Sequence, residues 1–365
     1  MKITDIACEK VSIPLKKPKA ISTRSIHRRQ LTVVQVSTDE DLTGVGWSWS
    51  HAVATIVNER LRDLLVAEDP LQTEWLWNRM YGAEGTLTYG RRGVAVRAIS
   101  AVDVALWDLK GKALQMPVYR LLGGCRSCVP VYASGGYYEE GKTADDLADE
   151  MVAYVKQGFR AVKIKVGLLS LDEDEERVRA VREAVGPDVA LMVDANNAYQ
   201  PYSAIRAARA FGEYGIEWLE EPVSPDDACG SARVAATVDT PIASGELEYT
   251  RYGFRELIDK QAADIVQPDA SVAGGVTEWI KIAALASANR IPIAPHSSQE
   301  VHVHLVAATP GALNVEFFDP SADIVKTEEL FTTRLTPRDG CLPVPQKPGF
   351  GIELSRKALE KYRVQ

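Results

Sequence analysis

Seven run ends in this chain carry ionisable side chains: Lys163-Ile164-Lys165, Asp194-Ala195-Asn196, Glu220-Glu221-Pro222, Gly245-Glu246, Asp269, His296 and Glu316. Each closes a short apolar run, where one Asp or Asn would be an ordinary turn residue. Seven in succession ask for another reason. Asp194, Glu220 and Glu246 stand 26 residues apart each time. Three carboxylates brought together repel unless a cation sits between them, and a set with neither Cys nor His suits a hard ion. Mg2+ is the expected ion, with Mn2+ as the alternative. Helix capping or pairing with a local base explains one such carboxylate more readily than three. Glu221 competes with Glu220, because neighbours on a strand point to opposite sides and only one faces the site.

Lys163 and Lys165 are two apart on a strand and so point the same way. Repulsion between the two ammonium groups and a nearby cation is expected to lower Lys165 from about 10.4 toward the roughly 7 to 8 of a general base. Lys163 would then hold a substrate carboxylate. His296 and Asp269 end neighbouring runs, so the carboxylate would accept a hydrogen bond from one ring nitrogen and leave the other facing substrate, opposite Lys165. His302 and His304 fall in the helical segment that follows, where two-residue spacing splits them between faces, and they read as structural.

These groups need elements that deliver them to one place. From residue 129 onward, eight apolar runs (129–134, 161–166, 190–194, 216–220, 241–245, 264–267, 291–295 and 313–317) alternate with segments of helical length. That is the pattern of successive βα units. Eight units imply an α/β fold of the TIM-type (β/α)8 class, with the site at the C-terminal strand ends. A doubly wound open sheet would more usually have five to seven strands. Residues 1–125 read as an α+β capping domain, with strands at 3–13 and 31–37, a polar basic stretch at 16–30 and a clear helix at 92–114. In that helix Val96, Ile99, Val102, Leu106 and Leu109 recur at helical spacing. The barrel is expected at 126–320, and a proline-rich segment at 321–365 returns to the cap.

Composition narrows the function classes. Of 365 residues, 46% are apolar and 25% charged, enough for a full core. The 42 basic and 50 acidic residues give a formal charge of -8, the opposite of a nucleic-acid footprint. No apolar run approaches the roughly 20 residues of a membrane span, and nothing at the N-terminus reads as a signal peptide, so a cytoplasmic setting is expected. Five cysteines do not make a disulfide framework, and the CxxC of Cys125 and Cys128 lacks a second pair for zinc.

Taken in order, the seven run ends resemble the enolase superfamily and, within it, the mandelate racemase subgroup of the mandelate racemase/muconate lactonizing enzyme family. The Asp269/His296 pair carries the subgroup, since muconate cycloisomerase-like members would have a lysine near position 269. The resemblance implies a capped barrel in the (β/α)7β form, Mg2+ on Asp194, Glu220 and Glu246, and an enediolate made by proton abstraction next to a carboxylate. It implies Lys165 as one base, tuned by Lys163, and the His296/Asp269 dyad as the other base or acid. Glu316 would be a protonated acid that hydrogen-bonds the substrate carboxylate, and Asn196 a substrate contact. Arg24, His27 or Arg28 would read the far end of the substrate from a loop over the mouth, with Tyr137 and Tyr138 lining the pocket. The activity implied is dehydration of an acid sugar to a 2-keto-3-deoxy acid. A 2-hydroxy-acid racemase or epimerase is the alternative, and a catalytically silent binding barrel a more distant one. The partner implied is a small carboxylate, bound by a homo-oligomer that is often an octamer.

Overall fold

The computed structural model describes residues 1–364. Three antiparallel strands open the chain, β1 (Ile3–Ile21), β2 (Arg24–Thr38) and β3 (Thr43–Ser48), in the order β1-β2-β3. The basic stretch 16–30 is therefore the outer half of a ribbon and not a loop. Its pairing runs through a register shift between Pro14 and Lys19 out to Ile21 and Arg24. A two-stranded ribbon laid over a domain needs few apolar anchors, which is why its polar composition hid it. Here Ile21 and Ile26 suffice, packing with Tyr137, Phe318, Ile324 and Val325. The ribbon tip is tied down as well: Ala20 and Tyr138 exchange backbone hydrogen bonds of 2.8 and 3.0 Å, and the Ser22 hydroxyl donates to the Ala195 carbonyl at 2.6 Å.

The expected helix forms as Val94–Ala113 and is buried over most of its circumference. It packs against β3 and against the helix Gly275–Ala288. The Gly44-Val45-Gly46 sequence has its reason in this contact. A Cβ on Gly44 would lie 2.0 Å from the Ala105 carbonyl oxygen, and one on Gly46 would lie 2.1 Å from that of Ala101. Only glycine lets strand and helix backbones touch.

Seven parallel strands follow: β4 (Cys128–Ser134), β5 (Ala161–Lys165), β6 (Ala190–Asp194), β7 (Leu219–Glu220), β8 (Ile242–Ser244), β9 (Ile265–Val266) and β10 (Val315–Phe317). Their order is β10-β4-β5-β6-β7-β8-β9. Helices join them, two of them started by reciprocal caps, Thr143 with Asp146 and Ser170 with Glu173. The run at 291–295 makes no full strand. It contributes single parallel bridges at Ile293, to Val266 on one side and Ala312 on the other, because Pro292 and Pro295 have no N–H to give a ladder. The architecture is a capped TIM-type barrel whose seventh strand is reduced to these bridges. Among the described residues no helix is long and apolar enough to cross a membrane.

The C-terminal segment touches both parts. Strand β11 (Cys341–Pro343) pairs antiparallel with β4, while Val364 donates to the Lys10 carbonyl on β1 at 2.9 Å. Cys128 and Cys341 are disulfide-bonded across the β4–β11 pair. Reading the sequence missed this bond because 213 residues separate the two cysteines. Cys125, the other half of the CxxC, is exposed and free.

His302 and His304 do not divide between two faces. Both are fully buried, because the helix Gln299–Ala308 is enclosed on nearly every side. His302 accepts from the Ala270 N–H at 3.0 Å and meets the Ser297 carbonyl at 2.7 Å. His304 accepts from the Tyr119 N–H and lies 3.1 Å from the Phe350 carbonyl. Burial pushes the His304 pKa down to about 4 from its ordinary 6.5. A depressed histidine contributes stability above pH 6.5 that is lost as pH falls toward 4, since the unfolded chain takes up the proton first. Urea melts should therefore show the wild-type protein losing about 3 kcal/mol over that window relative to His304→Gln. Parallel pH profiles for the two proteins would contradict this.

Candidate active site

Strand register sets the floor of the site. Lys165 pairs with Asp194 across β5 and β6, and Asp194 with Glu220 across β6 and β7, so the three side chains stand level at the strand ends. Glu246 joins them just after β8. Ligand atoms of Asp194, Glu220 and Glu246 all lie within 4.8 Å of one another. Glu220, and not Glu221, is the inward residue. Its Oε2 accepts from Gln267 at 2.7 Å and from the Trp218 indole at 3.1 Å, and its Oε1 pairs with Lys163. Glu221 takes a positive φ of 40° and turns away, where Asn197 donates to it at 3.1 Å. Burial, together with the crowding of Asp194, Glu316 and Glu246, pushes Glu220 up to about 7.

The two lysines are not depressed. Lys165 is paired with Asp194, and although burial opposes its charge, that carboxylate holds it above the ordinary lysine value. The expected lowering reckoned with the neighbouring ammonium and a bound cation; the Asp194 carboxylate on the next strand works against it. Lys163 does not reach the cavity at all. It is fully buried, locked against Glu220, with Glu316 at 2.9 Å and Asp194 at 3.9 Å. It braces the floor beside Glu220 and Glu316. Glu316 is likewise beneath the cavity, 1% exposed, and accepts from the Ser297 N–H at 2.7 Å. Burial opposes its charge, but Lys163, His296 and Lys165 hold it below the usual carboxylate range.

His296 meets Asp269 Oδ2 through Nδ1 at 3.0 Å, and its Nε2 lies 3.5 Å from Glu246 Oε2. Asp269 is itself fixed by the Ser271 N–H at 2.7 Å. Against the pull of burial, Glu246, Asp269 and Glu316 raise His296 to about 9. Lys165, Glu246, Asp269 and His296 all line one cavity of about 540 Å³, roofed by the β1–β2 ribbon.

Comparison with known proteins agrees with this geometry. Residues 3–123 match the mandelate racemase / muconate lactonizing enzyme N-terminal domain, and residues 146–358 match the enolase C-terminal domain-like family. The chain belongs to the mandelate racemase/muconate lactonizing enzyme family. Over 355 residues this family member is 38% identical to the arabinonate dehydratase of Saccharolobus solfataricus, covering 94% of this chain and 93% of that one. A racemase from Streptomyces coelicolor with bound magnesium superposes with a TM-score of 0.93 at 35% identity, covering 99% of this chain and 100% of that one. An L-talarate dehydratase from Polaromonas sp. JS666, complexed with Mg and L-glucarate, superposes with a TM-score of 0.88 at 33% identity, covering 100% of this chain and 98% of that one.

In this family member the other anticipated contacts divide. Asn196, Arg24, His27, Arg28 and Tyr137 line the cavity. Asn196 also braces Asp194, donating its backbone N–H at 2.8 Å and its side-chain amide at 3.2 Å. Tyr137 lies with its ring 5.1 Å from the Lys165 ammonium. Tyr138 does not line the cavity; its hydroxyl donates to Asp174 at 2.5 Å. Sequence reasoning missed Trp218 and Gln267 behind Glu220, although Trp218 stands two residues before Glu220, on the same side of the strand. It also missed Arg97, which reaches the cavity from the cap and carries no local signal.

Proposed function

We propose that this protein is a Mg2+-dependent dehydratase of acid sugars, with epimerisation of a 2-hydroxy acid as the alternative that the same residues would support. The observation that carries the reading is that Glu246 belongs both to the carboxylate trio and to the cavity that Lys165 and the His296/Asp269 dyad line. Asp194, Glu220 and Glu246 fit a hard cation: every donor is oxygen, and Glu246 Oε2 is buried without a hydrogen-bond partner. A bound Mg2+ would supply positive charge where the substrate carboxylate becomes an enediolate, and would compete for Asp194 so that Lys165 is freed to act as an amine.

Lys165 takes the proton from the carbon next to the carboxylate. Asp269 holds His296 through Nδ1, which leaves Nε2 to pass a proton to the departing β-hydroxyl as its C–O bond breaks. Water leaves, and the enol tautomerises to a 2-keto-3-deoxy acid. If the β-hydroxyl stays, reprotonation by His296 inverts the α-carbon. A cytoplasmic setting, a homo-oligomeric state and Mn2+ as a substitute ion belong to the same proposal. The test incubates the protein with Mg2+ and a panel of sugar acids and follows 2-keto acid. Product that disappears with chelator and returns with Mg2+ is expected. Inversion without keto product would establish the isomerase instead.

A further inference from the structure

We propose that His302 is a positioning residue for the His296/Asp269 dyad, holding the two loops that carry it at the spacing proton transfer needs. This rests on the functional reading above and adds to it a group that touches no substrate. Asp269 and His296 come from the weakest part of the barrel. Strand β9 is only Ile265–Val266. The run beside it meets Val266 alone, whose N–H donates to the Pro292 carbonyl and whose carbonyl accepts from the Ala294 N–H, both at 3.1 Å. Among the described residues no backbone hydrogen bond joins the two segments beyond that point.

His302 supplies the missing link. Its Nε2 accepts from the N–H of Ala270, the residue after Asp269, and its Nδ1 donates to the carbonyl of Ser297, the residue after His296. An amide N–H only donates and a carbonyl only accepts, so the ring is the neutral tautomer protonated on Nδ1. Burial lowers its pKa and favours the same form. The ring is fully buried and lies against Trp279, the two centroids 5.5 Å apart. The turn it grips needs an anchor. Ser297 and Ser298 take positive φ values of 54° and 39°, a left-handed conformation that residues other than glycine hold only where their surroundings impose it. These two residues directly follow His296, so their conformation sets how its ring enters the cavity. His304, buried on the same helix, spends its two nitrogens on Tyr119 and Phe350, away from the dyad, and serves as the control.

The test incubates Mg2+-loaded protein in D2O with a panel of sugar acids, following product (2-keto acid or inverted acid) and deuterium at C2 of the remaining substrate. His302→Phe keeps a ring and removes both bonds. It should lower product formation, which needs His296, by about 100-fold, while deuterium exchange through Lys165, KM and the Kd for Mg2+ stay near their wild-type values. His302→Gln, whose carbonyl can still accept from Ala270, and His302→Asn, whose amide can still donate to Ser297, should each recover part of the rate. Both carry the test if His302→Phe does not fold. His304→Gln should leave the ratio of product to exchange at the wild-type value. A fall of product and exchange by the same factor in the His302 variants would make the residue a plain brace of the fold and overturn the inference, as would undiminished product formation. Neither exchange nor product from wild-type protein with any acid would overturn the functional reading along with it.

Discussion

Replacing Lys165 with methionine is expected to cut turnover by about 10^4-fold, the upper range for loss of a positioned general base, while Mg2+ binding persists. Methionine keeps the stem that packs beside Tyr137 and removes only the ammonium. Asp194 does not collapse without it, because Asn196 donates to it twice and Lys163 remains 3.9 Å away. Loss of its ion-pair partner should, if anything, make Asp194 a freer ligand. Calorimetric Mg2+ titration alongside turnover measures both effects. If Lys165→Met abolished metal binding together with turnover, the lysine would be a brace for Asp194 and not a base.

Glu220→Gln should produce the converse pattern, a loss of about 10^4-fold in kcat/KM together with the loss of Mg2+ binding. The wild-type protein should gain about 2.7 kcal/mol at a Mg2+ concentration of 100 times Kd, and the variant should gain nothing. The metal-free fold should survive the change. Three carboxylates, Asp194, Glu220 and Glu316, pair with two lysines and Glu246 lies beside them, so removing one charge relieves repulsion, and Lys163 keeps Glu316 at 2.9 Å. Melting curves with and without Mg2+ check this directly. A variant that still melts higher in Mg2+ would place the ion elsewhere.

Much of this site is legible in the sequence because parallel strands deliver successive run ends to one edge. Lys165, Asp194 and Glu220 prove to be in register for that reason. What a strand end presents is less legible. Whether Glu220 or Glu221 turns inward depends on the positive φ at Glu221, which no local pattern announces. Depth is not legible either: Lys163 and Glu316 are almost wholly buried, and two residues of rise separate Lys163 from the cavity that Lys165 reaches. The charge nearest to Lys165 is that of Asp194 on another strand, which no spacing within β5 announces. The ribbon at 16–30 was hidden by polar composition, since its partners Tyr137, Phe318 and Ile324 lie more than a hundred residues away.

The central claim is that Lys165, the trio and His296 form one centre that removes a proton next to a carboxylate. Proton NMR of Mg2+-loaded protein with a panel of sugar acids in D2O tests it most directly. At least one acid should exchange its C2 hydrogen for deuterium or pass to a 2-keto-3-deoxy product labelled from solvent, in wild-type protein and not in Lys165→Met. Exchange that proceeds equally in the two proteins, or none with any acid while Mg2+ is bound, would contradict it.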